Sequence, residues 1–174
     1  MSVIDVAFGR HHQASRRSAE GSIHDRITGL VGSQAFQELA SERLCRCAAT
    51  AGRCALLVIS GRSGDGATLP ERYMKLVADA IRASIRPPDL AGHTEGGDFA
   101  VLLDRCDRED AKQVCGRIVR AVYAATAGTR QEIPAVGIAV APGQGTALEE
   151  LLRYARKELR SPRASALVVS AATA

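Results

Sequence analysis

The segment Arg86-Pro87-Pro88-Asp89 sets a guanidinium and a carboxylate three positions apart with two prolines between them. An arginine fork donates in parallel to guanine O6 and N7, and a carboxylate accepts from the N1 and N2 hydrogens, so the pair suits a guanine edge. Each proline fixes its own φ, which leaves little ordering entropy to lose on binding. The plainer alternative is an exposed ion pair worth at most about 1 kcal/mol. Carboxylates offer a second chemistry. Asp98, after Gly96-Gly97, is either a solvated turn residue or a metal ligand, and one carboxylate makes a poor Mg²⁺ site. With Glu71 it defines an enzymatic alternative, acting on another nucleotide. Cys45 and Cys47, two apart in a helical stretch, point to different faces and read as core or surface thiols rather than a metal pair.

The elements that must position these groups fit one domain. A chain of 174 residues can bury one core, and with only 3% aromatic content that core is aliphatic and alanine-rich. A net charge of +4, from 23 Lys and Arg against 19 Asp and Glu, is that of a solvated arginine-rich surface, so no nucleic-acid partner is expected. Five cysteines form an odd set, no signal peptide precedes them, and the reducing cytoplasm fits best. The longest apolar run, Cys54 to Ser60, is far below the roughly 20 residues of a membrane span.

Residues 1–22 show no apolar period and read as a mobile tail or a linking helix. Phe36, Leu39, Ala40 and Leu44 recur at helical spacing over 34–50, and Ala51-Gly52 ends the run. Cys54 to Ile59 is continuously apolar, as in a strand buried on both faces. A helix over 69–85 stops at the diproline. Segments 89–94 and 99–104 then form a hairpin about Gly96-Gly97. Asp107 caps a helix to about 126, and 134–141 is a strand. Thr146 and Glu149 form a capping-box pattern for a helix to Pro162, and 166–170 is a last strand. This order implies an α/β sandwich, a mixed central sheet flanked by helices.

Five segments in this order resemble the GGDEF (diguanylate cyclase) family: His24-Asp25-Arg26-Ile27-Thr28-Gly29-Leu30 with Phe36, Leu56 to Ile59, Val77-Ala78, Glu95 to Leu103, and Val136 to Ala139. The third and fourth correspond to V-A-x-x-L and to the signature G-G-D-E-F-A-V-L-L. The resemblance implies a nucleotide-cyclase palm-like fold, with a degenerate GGDEF domain over 23–171 and a short tail at 172–174. Active members join two GTP molecules with Mg²⁺ in a dimer to make cyclic di-GMP.

Measured against that family, this chain departs at the catalytic positions. Ser60-Gly61-Arg62 stands where D-x-D is usual, the following phosphate loop is shorter, and Gly32 replaces a guanine-contacting Asn. The signature aligns with Glu95 first and Gly97 third, or with one residue deleted after Asp98, and either way keeps a single acid. Loss of metal carboxylates removes the main electrostatic support of phosphoryl transfer, so neither catalysis nor Mg²⁺ is expected. Arg86 and Asp89 match the family's R-x-x-D inhibitory site, Arg117 occupies the place of its third residue, and His93 lines the ligand or faces water. The resemblance therefore implies a cyclic di-GMP receptor that needs no cofactor and relays to a protein effector, with a homodimer as one form. Degenerate members of this kind control polysaccharide export, motility or adhesion. The competing reading is a nucleotide-independent pseudo-domain that acts through protein contacts or dimerisation.

Overall fold

The computed structural model describes residues 23–63, 66–127 and 134–161. The elements are α1 (Ser33–Ala49), β1 (Cys54–Ile59), α2 (Glu71–Ser84), β2 (Leu90–His93), β3 (Phe99–Asp104), α3 (Arg108–Thr126), β4 (Val136–Ala141) and α4 (Leu148–Leu159). The segments expected as an N-terminal tail, a last strand at 166–170 and a short tail at 172–174 lie outside the described residues.

Strand order is β2-β3-β1-β4. Every ladder among the described residues is antiparallel, where a mixed sheet was expected. The reason is topological: the crossovers join strands that run parallel but are not neighbours, because an antiparallel strand inserts between them. Among the described residues the parallel contribution is one bridge, Val31 to Gly92.

Strand β1 lies at the centre and all six of its residues are buried, as its unbroken apolar run requires. Alternation sends Ala55, Leu57 and Ile59 to a core shared with Val77 and Ile81 of α2 and Ile118 and Val122 of α3. Cys54, Leu56 and Val58 point the other way, onto Phe36 and Leu44 of α1 and Leu151 and Ala155 of α4. The result is a sheet covered by helices on both faces, in which the loops at strand ends carry the polar chemistry.

The helix starts show local sequence at work. Asp107 Oδ1 accepts from the amides of Glu109 (2.9 Å) and Asp110 (3.0 Å), satisfying two orphan donors of α3. At α4 the cap sits one residue beyond the Thr146–Glu149 pattern. Glu150 Oε2 accepts from the amides of Thr146 (3.0 Å) and Ala147 (3.3 Å), because Ala147 takes the position before the first helical residue. Among the described residues, no helix is long and apolar enough to cross a membrane.

Candidate functional site

The corner between α2 and β2 is built by the diproline turn. Asp89 Oδ2 accepts from the Arg86 amide at 2.8 Å, and the Asp89 amide donates to the Arg86 carbonyl at 2.9 Å. Asp89 Oδ1 accepts from the Asp104 amide at 3.1 Å, which fastens the turn to the end of β3. Arg43 of α1 donates to the Pro88 carbonyl and ties the turn to that helix. Exposure then separates the two charged residues: the side chain of Asp89 is 1% exposed and that of Arg86 is 62%.

Both Asp89 oxygens accept from backbone amides inside the protein, which fixes the backbone that carries Arg86. The Arg86 guanidinium keeps only a 3.7 Å ion pair to Asp89 and a 3.3 Å bond from Nη2 to the Asp104 carbonyl. Arg117, exposed on α3, donates from Nη2 to the Ser84 carbonyl at 2.8 Å, two residues before Arg86. The fold thus brings Arg86, Asp89 and Arg117 to one corner.

His93 does not join them. It ends β2 at the far side of the strand, buried, with its ring 4.8 Å from that of Phe99. Its Nε2 lies 2.8 Å from Thr28 Oγ1 and 3.8 Å from Asp25 Oδ1, so it neither lines that corner nor faces water. Burial pushes the imidazole below its ordinary pKa of 6.5, against the opposing pull of Asp25. Burial would raise Asp25, but hydrogen bonds from Thr28 and the charge of His93 outweigh it and hold the carboxyl low. His93 therefore docks the opening segment against the sheet edge, where the Val31 amide donates to the Ala91 carbonyl (3.2 Å) and the His93 amide to that of Val31 (2.9 Å).

The signature turn lies against the end of β1. Ile59 pairs with Phe99, which sets Ser60-Gly61-Arg62 beside Asp98. The Gly61 amide donates to Asp98 Oδ1 at 3.1 Å. Only glycine permits this approach, since a Cβ at position 61 would stand 2.1 Å from the Gly97 carbonyl oxygen. Gly97 in turn closes the tip with φ at 82°. On its other side Asp98 faces Arg156 of α4, whose Nε is 3.8 Å from Oδ2 and whose Nη2 donates to Thr94 Oγ1 at 3.0 Å. Arg62 reaches forward to the Gly66 carbonyl (3.1 Å), and Ser60 Oγ accepts from the Arg62 amide (3.1 Å).

The Asp98 carboxylate is thus engaged by the Gly61 amide and faced by Arg156, while Arg62 turns to the Gly66 carbonyl. Among the described residues, no three His, Cys, Asp or Glu side chains gather as a metal site. Arg156 gave no signal in the sequence. It sits beside the buried Ala155 on the rim of the apolar stripe of α4, and its partners are distant along the chain.

Cys106 lies close to the diproline corner, where the charges of Asp89 and Arg86 act on its thiol. Cys45 is exposed and Cys47 half-buried, on different faces of α1, and all five thiols are free. Burial raises Cys54 and Cys115 to about 12 and Cys106 to about 11, so none of these three is a ready thiolate at neutral pH.

The family described as "Diguanylate cyclase, GGDEF domain" matches residues 22–166. The cyclic di-GMP phosphodiesterase NbdA of Pseudomonas aeruginosa is 26% identical over 162 residues, covering 88% of this chain and 20% of NbdA. The bifunctional diguanylate cyclase/cyclic di-GMP phosphodiesterase MucR of the same organism is 23% identical over 160 residues, covering 87% of this chain and 23% of MucR. The chain therefore spans about a fifth of the length of these curated relatives. Among solved structures, the coiled coil and GGDEF domain of DgcB from Caulobacter crescentus, in complex with c-di-GMP, superposes with a TM-score of 0.67. That match is 18% identical and covers 89% of this chain and 86% of that one. Likeness at this identity carries the fold.

Proposed function

This chain belongs to the diguanylate cyclase GGDEF domain family, and from that membership we propose that it is a catalytically inactive receptor for cyclic di-GMP. The observation that carries the reading is the diproline corner, where a buried Asp89 fixes the backbone and presents an exposed Arg86 guanidinium beside Arg117. Two arginine forks within one corner suit a dianionic ligand with guanine edges: one fork reads O6 and N7 while the other meets phosphate or stacks on a base. Asp89 acts through Arg86 and not on the ligand.

Loss of turnover follows from the other end of the sheet. The family's cyclases use Mg²⁺, and the residues here do not fit it. A lone carboxylate already engaged by the Gly61 amide and facing the Arg156 guanidinium supplies too few oxygens for a divalent cation, and the guanidinium opposes its charge. No catalytic residue is therefore assigned. The bound receptor relays its state to a protein effector or through a homodimer, in the reducing cytoplasm, with polysaccharide export, motility or adhesion as the outputs such receptors serve.

One observation favours a second reading. Asp89 is closed off by its own backbone partners and is not presented to guanine N1 and N2, as would suit a nucleotide-independent protein-interaction domain. Incubation with GTP and Mg²⁺ followed by chromatography, alongside equilibrium dialysis with cyclic di-GMP, separates the cases. Bound dinucleotide without product supports the receptor; product formation refutes inactivity; neither product nor binding leaves the interaction domain.

A further inference from the structure

Four groups from three parts of the chain converge at the signature turn. The Asp98 carboxylate, 18% exposed, accepts from the Gly61 amide on one oxygen and faces the Arg156 guanidinium with the other. The same guanidinium donates to Thr94 Oγ1, on a residue whose own amide donates to the Asp98 carbonyl at 2.9 Å. The Gly97 amide returns a bond to the Thr94 carbonyl at 3.0 Å. A side chain at position 96 would begin 3.5 Å from Arg156 Nη2. Arg156 therefore lies across the whole turn, from Thr94 to Asp98, and ties it to α4.

We propose that Arg156 is a built-in cation, standing in for a divalent metal by neutralising Asp98 and pinning the signature turn in one conformation. The physical case rests on charge and geometry. An acid kept at a β-turn beside the sheet end needs a positive partner, and a covalently tethered guanidinium supplies it at no cost in bound-ion concentration. Its planar fork reaches a second acceptor, Thr94, which a spherical ion has no means of holding in that direction. The consequence is a turn that keeps its shape in the absence of Mg²⁺ and does not respond to it. The proposal rests on the reading that the cyclase end is retired, but it concerns a different pair of elements from the Arg86 corner.

A double-mutant cycle tests it, with thermal unfolding of wild type, Arg156→Ala, Asp98→Asn and the double variant, each with and without millimolar MnCl₂. Each single change is expected to lower Tm by roughly 2–4 °C, with the double variant no worse than the poorer single. Wild type is expected to show no Mn²⁺-dependent shift. Additive losses would overturn the coupling. A Mn²⁺-dependent rise in the wild-type Tm that Asp98→Asn abolishes would overturn the substitution of metal by arginine. Binding of cyclic di-GMP should be unchanged in Arg156→Ala, so failure of this proposal and failure of the receptor reading are told apart by the same proteins.

Discussion

At the signature turn and at the diproline corner, an acidic and a basic side chain face each other, and the two regions resolve the pairing in opposite ways. At the turn the acid is partly accessible, and the base, Arg156, is drawn in over it and shared with Thr94. At the corner the acid is sealed inside the protein by two backbone amides, and the base, Arg86, is left out in water. The first arrangement consumes its charges internally. The second converts a buried carboxylate into a support that presents a cation. The lesson is that a motif's letters do not tell which member of a charged pair remains available; the backbone partners decide it.

The largest effects should come from breaking the backbone contacts that define each region. Gly61→Ala pushes a methyl into the Gly97 carbonyl, and we expect a loss of about 3 kcal/mol in urea unfolding, the upper part of the usual range for overpacking. A loss under about 0.5 kcal/mol would mean that the turn is not packed against β1 as described. Next, Asp89→Ala strands the amides of Arg86 and Asp104, with an expected cost of about 2 kcal/mol by the same measurement. A much smaller cost would return Asp89 to the ligand side of the comparison.

Arg86→Ala sharpens the contrast, because its side chain is exposed and its ion pair contributes little. Stability should change by less than about 1 kcal/mol, while cyclic di-GMP affinity falls about 10- to 100-fold. The smallest effect concerns His93. Its folded pKa lies below the ordinary 6.5, so the unfolded chain binds the proton more readily. The associated stability is complete above about pH 6.5 and is lost as pH falls through the folded value, which should appear as a shallow decline in Tm between pH 7 and pH 5. His93→Phe should flatten that decline while weakening the link to Thr28; an equally steep decline in the variant would place the titration elsewhere.

Much of the scaffold was legible because its signals are local. The unbroken apolar run of β1 fixed its central place, the diproline ended α2, and Asp107 capped α3 as its type demands. The α4 cap was displaced by one residue because two acids, Glu149 and Glu150, compete for the same role and only geometry selects Glu150. The sheet was expected to be mixed, since element order fixes neither the insertion of β3 beside β1 nor the antiparallel ladders that follow.

At the site, Arg86, Asp89 and Arg117 were legible as a group, while the burial of Asp89 was not. That burial depends on the Asp104 amide, which arrives from another strand. His93 was left between ligand and water because its partners, Thr28 and Asp25, lie far upstream. Arg156 was illegible for the same reason: nothing next to it in the chain distinguishes it from the other arginines of α4.

The most direct test of the account is isothermal titration of cyclic di-GMP into wild type, Arg86→Ala and Arg156→Ala. The account predicts micromolar or tighter binding to wild type, an affinity reduced at least about 10-fold by Arg86→Ala and unchanged by Arg156→Ala. Binding that survives Arg86→Ala, or that is lost equally in Arg156→Ala, would contradict the assignment of the ligand to the diproline corner.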